Sequence, residues 1–150
     1  MSLLLDTNVI LDVWLQREPH VEDSARVMAL VEEGEVRASL CATTLTTLFY
    51  LGQRVLGADG ARRQIEALLR LFSVAPVNRA VLSEALGSRF ADFEDAVLHE
   101  AARHAGCQAI ITRNTADFAS ASLRIHTPTQ YLQMHRMSLH EKAARYRSEG

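Results

Sequence analysis

The sequence predicts an α/β protein built on a mainly parallel sheet with helices over both faces. Apolar runs of strand length stand at Leu3-Leu4-Leu5, Val36 to Ala42, Val74 to Val77, Ala109 to Thr112 and Leu123 to His126. The segments between them space their apolar residues as helices do, so strand and helix alternate along the chain, the pattern of a sheet wound on both sides. Gly34, Gly57, Gly87, Gly106, Pro19 and Pro128 punctuate the joins, where turn and cap residues belong.

The elements follow in order. Leu3 to Leu5 is a buried strand, and Asp6-Thr7-Asn8 supplies residue types that cap a helix over 8–15. Pro19 opens a second helix to about Glu33, with Gly34 as its stop. After the strand from Val36, Thr43 or Thr44 starts a helix through Leu45, Leu48, Phe49, Leu51 and Val55, ended by Gly57. Ala61 to Phe72 is another helix, with Ile65, Leu68, Leu69 and Phe72 on one face. Pro76 marks the strand over 74–77 as an edge. Residues 79–87 and Asp92 to His104 are helices closed by Gly87 and Gly106. Thr127-Pro128 opens a last helix, Thr129 to about Met134. The reading therefore expects one domain over 1–134 and a solvated, fraying tail over 135–150.

Composition narrows the class. With 150 residues, 48% hydrophobic and 23% charged, the chain has the profile of an ordinary globular domain. No apolar run approaches the ~20 residues of a membrane span, and no basic-then-apolar leader opens the chain. Cys41 and Cys107 are isolated and read as buried small hydrophobes, not a bridge. The expectation is a cytoplasmic protein with no membrane association. A net charge of -2 argues against a basic, non-specific nucleic-acid binder. Lys142 is the single lysine, so every other basic residue is Arg. Arginine suits bidentate phosphate contacts, and an Arg-favouring codon usage explains the bias equally well.

Chemistry enters with three acids at strand ends or helix starts. Asp6 follows the first strand, Asp95 lies in the first turn of the 92–104 helix, and Asp117 lies just past Ile110-Ile111-Thr112. In open α/β sheets reacting groups gather beyond the carboxyl ends of the strands. If these strands are neighbours, the carboxylates share one crevice, raise one another's proton affinity and suit a hard divalent cation such as Mg²⁺ or Mn²⁺. Each acid also has a structural reading. Asp6 can cap its helix, Asp92 with Asp95 is a capped helix start, and Asp117 can be a turn residue. Spacing alone leaves both open.

Three blocks of sequence carry a resemblance. Leu4-Leu5-Asp6-Thr7-Asn8-Val9-Ile10-Leu11-Asp12 resembles the start of a PIN domain of the VapC toxin type. Asp92 to Val97, then Gly106-Cys107 and Ile110 to Phe118, is similar to that family's second half, and Thr127 to Leu132 to the ending of one subgroup. The blocks span residues 3–134 in the right order. The resemblance implies a Rossmann-like α/β/α sandwich and metal-dependent hydrolysis of RNA phosphodiester bonds. It implies Asp6, Asp95 and Asp117 as catalytic residues and ligands of Mg²⁺ or Mn²⁺, with Asn8, Thr112 and Asp92 in support. Asn114 stands where many members carry Asp, and Thr47 where members usually carry Glu. Both replacements remove charge, so weaker metal binding or a single tightly held ion is expected. Arg113 is a candidate for holding substrate phosphate, against its ordinary reading as a solvated arginine. The resemblance further implies an RNA substrate, a small antitoxin protein as partner, and a homodimer.

Two other readings stay open at this point. One is a catalytically weakened PIN-like module that binds RNA or protein, with Thr47 and Asn114 as marks of lost chemistry. The other is a phosphatase of the haloacid dehalogenase type, disfavoured because Asn8 stands where a second Asp is required. The histidine pairs His99/His104 and His135/His140 are five apart, not the four that two ligands on one helix face need. Trp14, Phe49 and Tyr50 sit at helical spacing with aliphatics and read as core.

Overall fold

The structure, a computed structural model, describes residues 2–149. It holds a five-stranded sheet: β1 (Ser2–Leu5), β2 (Arg37–Cys41), β3 (Ser73–Ala75), β4 (Ala109–Ile111) and β5 (Arg124–His126). The strand order is β3-β2-β1-β4-β5, and every neighbouring pair is parallel. The helices between them are α1 (Thr7–Trp14), α2 (Val21–Glu32), α3 (Ala42–Leu71), α4 (Arg79–Leu86), α5 (Phe93–His104) and α6 (Pro128–Glu149). A short 3-10 turn, Thr115–Phe118, lies between β4 and β5.

The alternating direction of strand side chains divides the core into two layers. Leu3 and Leu5 of β1, with Leu40 and Ile111, pack under Ile10 of α1, Val27 of α2, Leu48 of α3 and Tyr131 of α6. Leu4 and Ile110 point the other way, onto Val81 and Ala85 of α4 and Ala96, Val97 and Ala101 of α5. Full burial on both faces explains why β1 reads as an unbroken leucine run and not as an alternation. Cys41 and Cys107 are free and buried, as expected. No helix among the described residues is long and apolar enough to cross a membrane.

The topology places the site. From β1 the chain winds outward to β2 and β3, then crosses back to β4 on the other side of β1 and continues to β5. Winding therefore reverses between β1 and β4, the point in an open parallel sheet where a crevice forms beyond the strand ends. Leu5 pairs with Ile111 in the register of β1 and β4, so the residues that follow them, Asp6 and Thr112, emerge side by side.

Several element boundaries differ from the sequence reading. Helix α2 starts at Val21, after a turn containing Pro19 and His20. Helix α3 starts at Ala42, with Cys41 at its cap position and no side-chain cap, so neither Thr43 nor Thr44 begins it. The expected stop at Gly57 is present as a break, φ 75° and ψ 169°, between two helical stretches of α3. Pro76 lies just past β3, which is an edge strand as expected. Tyr50 is 52% exposed and not core, with the Arg54 guanidinium 4.5 Å from its ring centre. The largest departure is α6, which continues past Met134 to Glu149 in place of a fraying tail. From Arg136 onward its residues are all exposed.

Candidate active site

Asp6 is the centre of the polar cluster. It continues the ladder from β1, its backbone N–H donating to Ile111 O at 2.9 Å, and then caps α1 by accepting from Thr7 N–H at 2.7 Å. Its other carboxylate oxygen accepts from Thr112 Oγ1 at 2.7 Å and Asn8 Nδ2 at 3.3 Å. The capping reading of Asp6 therefore holds, and the same side chain lies beyond the carboxyl end of β1 where the crevice forms. Asp6 is only 8% exposed, and burial pushes its carboxyl above the ordinary range. The hydrogen bonds from Thr112 and Thr7 and the nearby Arg113 charge pull it back, while the Asp117 charge adds to the rise.

Asp95 is set by the start of α5. Asp92 caps that helix, its side chain accepting from Asp95 N–H at 3.0 Å. Glu94 and Asp95 occupy the positive end of α5 and Arg103 and His104 the negative end, the charge order a helix dipole favours. Burial and then the charges of Asp6, Asp92, Asp117 and Glu94 push the Asp95 carboxyl up to about 7. Asp117, in the 3-10 turn after β4, is exposed and reaches both Asp6 and Asp95 through its charge. The three acids that stand far apart in sequence thus act on one another in space. Asp6 and Asp95, both with raised proton affinity, beside the Asp117 carboxylate and backed by hydroxyl and amide groups, are a donor set that fits a hard divalent cation.

The remaining predicted positions divide. Thr112 is fully buried and joins Asp6 to the β4 loop by accepting from Asn114 N–H at 3.1 Å. Asn8 accepts from the backbone N–H of Arg113 at 3.4 Å. Asn114 is exposed and caps the 3-10 turn without a side-chain hydrogen bond. Thr47 is half-buried, and its side chain takes part in no hydrogen bond among the described residues. One turn earlier, Thr44 meets Thr7 hydroxyl to hydroxyl at 2.9 Å, so α3 touches the Asp6 loop through a threonine that the sequence reading passed over. Arg113 is only 24% exposed at its side chain, and its Nε donates to Asp12 at 2.6 Å. A freely solvated Arg113 is therefore excluded.

Two features lay outside the sequence reading. Asp12 is fully buried in α1. Its signal was available, a lone acid one helical turn after Asn8 within Val9 to Val13. The second is a cluster of Glu84, Glu100 and His104, whose ligand-type atoms lie within 4.8 Å of one another, the one such trio among the described residues. The three aspartates are more open than that. Arg103 already donates to Glu84 at 2.9 Å and to Glu100 at 3.0 Å. The hydrogen bond between Glu84 and His104 is the chief reason that the Glu84 carboxyl sits below the ordinary range. That trio is an ion-paired bridge between α4 and α5 with its positive charge built in.

Comparison with known proteins follows this geometry. The sequence pattern of the PIN domain matches residues 2–116. The chain belongs to the PIN domain family. A curated relative, Ribonuclease VapC1 of Aquifex aeolicus (strain VF5), is 20% identical over 137 residues, 88% of this chain and 94% of the relative. Among solved structures, FitAcB from Neisseria gonorrhoeae is 24% identical with a TM-score of 0.62, over 84% of this chain and 97% of that one. VapBC2 from Rickettsia felis, bound to a DNA fragment from its promoter, is 12% identical with a TM-score of 0.66, over 85% and 98%. The expected Rossmann-like sandwich is the fold these structures share.

Proposed function

We propose that this chain is a metal-dependent ribonuclease and the toxin of a toxin–antitoxin pair. The observation that carries the reading is the mutual repulsion of Asp6, Asp95 and Asp117 at the switch point between β1 and β4. The ribonuclease name of the Aquifex relative and the toxin–antitoxin titles of the structural neighbours support it.

On this reading Asp6 holds Mg²⁺ or Mn²⁺ directly, with Asp95 and Asp117 as further ligands or as bases acting through water. The ion, when bound, supplies a water of lowered pKa and neutralises charge on the phosphate oxygens. Thr112, Asn8 and the Thr7 N–H fix the Asp6 carboxylate so that it meets its ligand without reorganising. Asp92 serves by capping α5 and so orienting Asp95. The openness of the aspartates suits an ion that keeps several waters. With neutral Thr47 and Asn114, the site either binds metal more weakly than a fully acidic one or holds a single ion tightly.

The test is calorimetric titration of Mn²⁺ into the wild type and Asp6→Asn, paired with cleavage of single-stranded RNA. Mn²⁺ uptake and cleavage by the wild type, both lost in Asp6→Asn, are expected. Equal uptake by the two proteins removes the catalytic reading and leaves the binding module, which the two neutral positions favour. The proposed partner is a short protein encoded beside this chain that sets a basic side chain among the carboxylates. It should co-purify and suppress cleavage, and a protein fully active beside it counts against the pairing. A homodimer is proposed on the same family grounds, with sedimentation as its check.

A further inference from the structure

Asp12 stands in the apolar face of α1 with no exposure at all, where a carboxylate is costly unless something needs it. Its Oδ2 accepts from Arg113 Nε at 2.6 Å, and its Oδ1 has no hydrogen-bond partner and lies 3.9 Å from Arg17 Nη1. Asn8, one turn before Asp12 on the same face, accepts the backbone N–H of Arg113. Two successive turns of α1 thus grip one residue, the first by its main chain and the second by its side chain.

The grip is by Nε. That leaves the terminal amino groups of the guanidinium without a hydrogen bond among the described residues. Arg113 also lines a groove of about 400 Å³ with Pro19, His20, Asp23, Thr127, Pro128 and Thr129, and the Thr129 hydroxyl donates to the Asp23 carboxylate, the one acid in that lining. Arg113 therefore stands between the Asp6 cluster and an open channel over the sheet's carboxyl edge. An arginine held through Nε with its outer fork free is shaped to take a phosphate.

We propose that Asp12 is a positioning residue that fixes the Arg113 fork for an RNA phosphate next to the scissile one, in the groove lined by His20 and Thr127. The proposal rests on the ribonuclease reading for its substrate class. Asp12 never meets the RNA and acts only through Arg113.

The test measures binding alone, by anisotropy of a fluorescent random-sequence single-stranded RNA, in the full chain carrying Asp6→Asn so that the RNA stays intact. Adding Arg113→Gln is expected to weaken binding about tenfold and to flatten the plot of log affinity against log salt by about 0.7, one phosphate contact on a single strand. Arg113→Lys should recover the salt slope but not the full affinity, because lysine has no Nε for Asp12 to hold. Asp12→Asn should weaken binding when Arg113 is present and do nothing further once Arg113→Gln is in place. The double variant also removes both charges of the buried pair, so thermal melts of all five proteins separate misfolding from lost contact. Unchanged affinity and slope in Arg113→Gln overturn the proposal. So does an Asp12→Asn loss that is the same with and without Arg113, which makes the pair a structural tie. The nuclease reading is decided separately, by Mn²⁺ uptake and cleavage in the wild type.

Discussion

At the scale of single residues, the site is a small set of hydrogen bonds that hold repelling charges in place. Thr112 shows how much rests on one hydroxyl. It donates to buried Asp6 at 2.7 Å and accepts from Asn114 N–H, so Thr112→Val leaves a buried acceptor and a donor short. Urea unfolding should show a loss of about 2 kcal/mol, and Mn²⁺ affinity should fall about tenfold, the usual effect of removing a ligand's support. Asp95 runs the other way. Its carboxyl is pushed up to about 7 by burial and four neighbouring acids, so its charge opposes folding at neutral pH. Asp95→Asn should raise the melting temperature of the metal-free protein at pH 8 by about 2 °C while reducing Mn²⁺ uptake. A lower melting temperature would mean that burial and repulsion are not what Asp95 experiences.

At the scale of elements, two backbone devices shape the helices around the site. Helix α5 begins where it does because Asp92 captures the Asp95 N–H, and Asp92→Ala should cost about 1 kcal/mol by unfolding in urea. The break in α3 is the second device. Gly57 takes φ 75° and ψ 169°, a conformation nearly confined to glycine, with nothing within 4 Å of where a Cβ would stand. Gly57→Ala is therefore a test of backbone strain without a clash, and should cost about 1–3 kcal/mol. Further along the same helix, the close approach of Gly52 to Trp14 sets how α1 and α3 meet. A Cβ on Gly52 would lie 3.1 Å from Trp14 Cζ3, so the absence of a side chain there lets the last residue of α1 pack directly on α3, at the opposite end of α1 from the Thr7–Thr44 contact.

At the scale of the whole molecule, the raised carboxyls govern the response to pH. A group whose pKa rises on folding binds its proton more tightly folded than unfolded, so stability falls as pH climbs between the two values. Asp95 moves from 3.8 to about 7, and Asp6 moves in the same direction. His99 and His126, whose pKa burial lowers, act in the opposite sense, so the raised carboxyl shows in a difference: the melting-temperature gain of metal-free Asp95→Asn over the wild type should widen from about pH 4 to pH 7. Mn²⁺ should narrow that difference most strongly above pH 7, and a metal-free difference that stays constant or shrinks across the range would contradict the repulsion. The far end of α6 makes the opposite prediction, that nothing much depends on it. Its buried residues are Pro128, Tyr131 and Leu132, so a chain ended after His135 should keep its melting temperature while losing helical circular dichroism. That outcome would support residues 1–134 as the folding unit.

The order of the elements was legible in the sequence because local physics writes it. Leu3-Leu4-Leu5 before a run of helix-capping residues reads as a strand buried on both faces, Gly57 and Gly106 break helices by their own backbone freedom, and Asp92 with Asp95 spells a helix start. The PIN resemblance of the Asp6 and Asp117 blocks named the acids in advance. What remained beyond reach depends on partners distant in the chain. Whether Asp6, Asp95 and Asp117 share a crevice is decided by β4 crossing back beside β1, a matter of strand order that no local pattern encodes. The engagement of Arg113 by Asp12, and the meeting of Thr7 with Thr44 while Thr47 stays apart, are contacts across 101 and 37 residues. Secondary structure follows from neighbours along the chain, and electrostatics from neighbours in space. Residue type and spacing could therefore say which side chains carry charge, but only the packed sheet could say which charges meet.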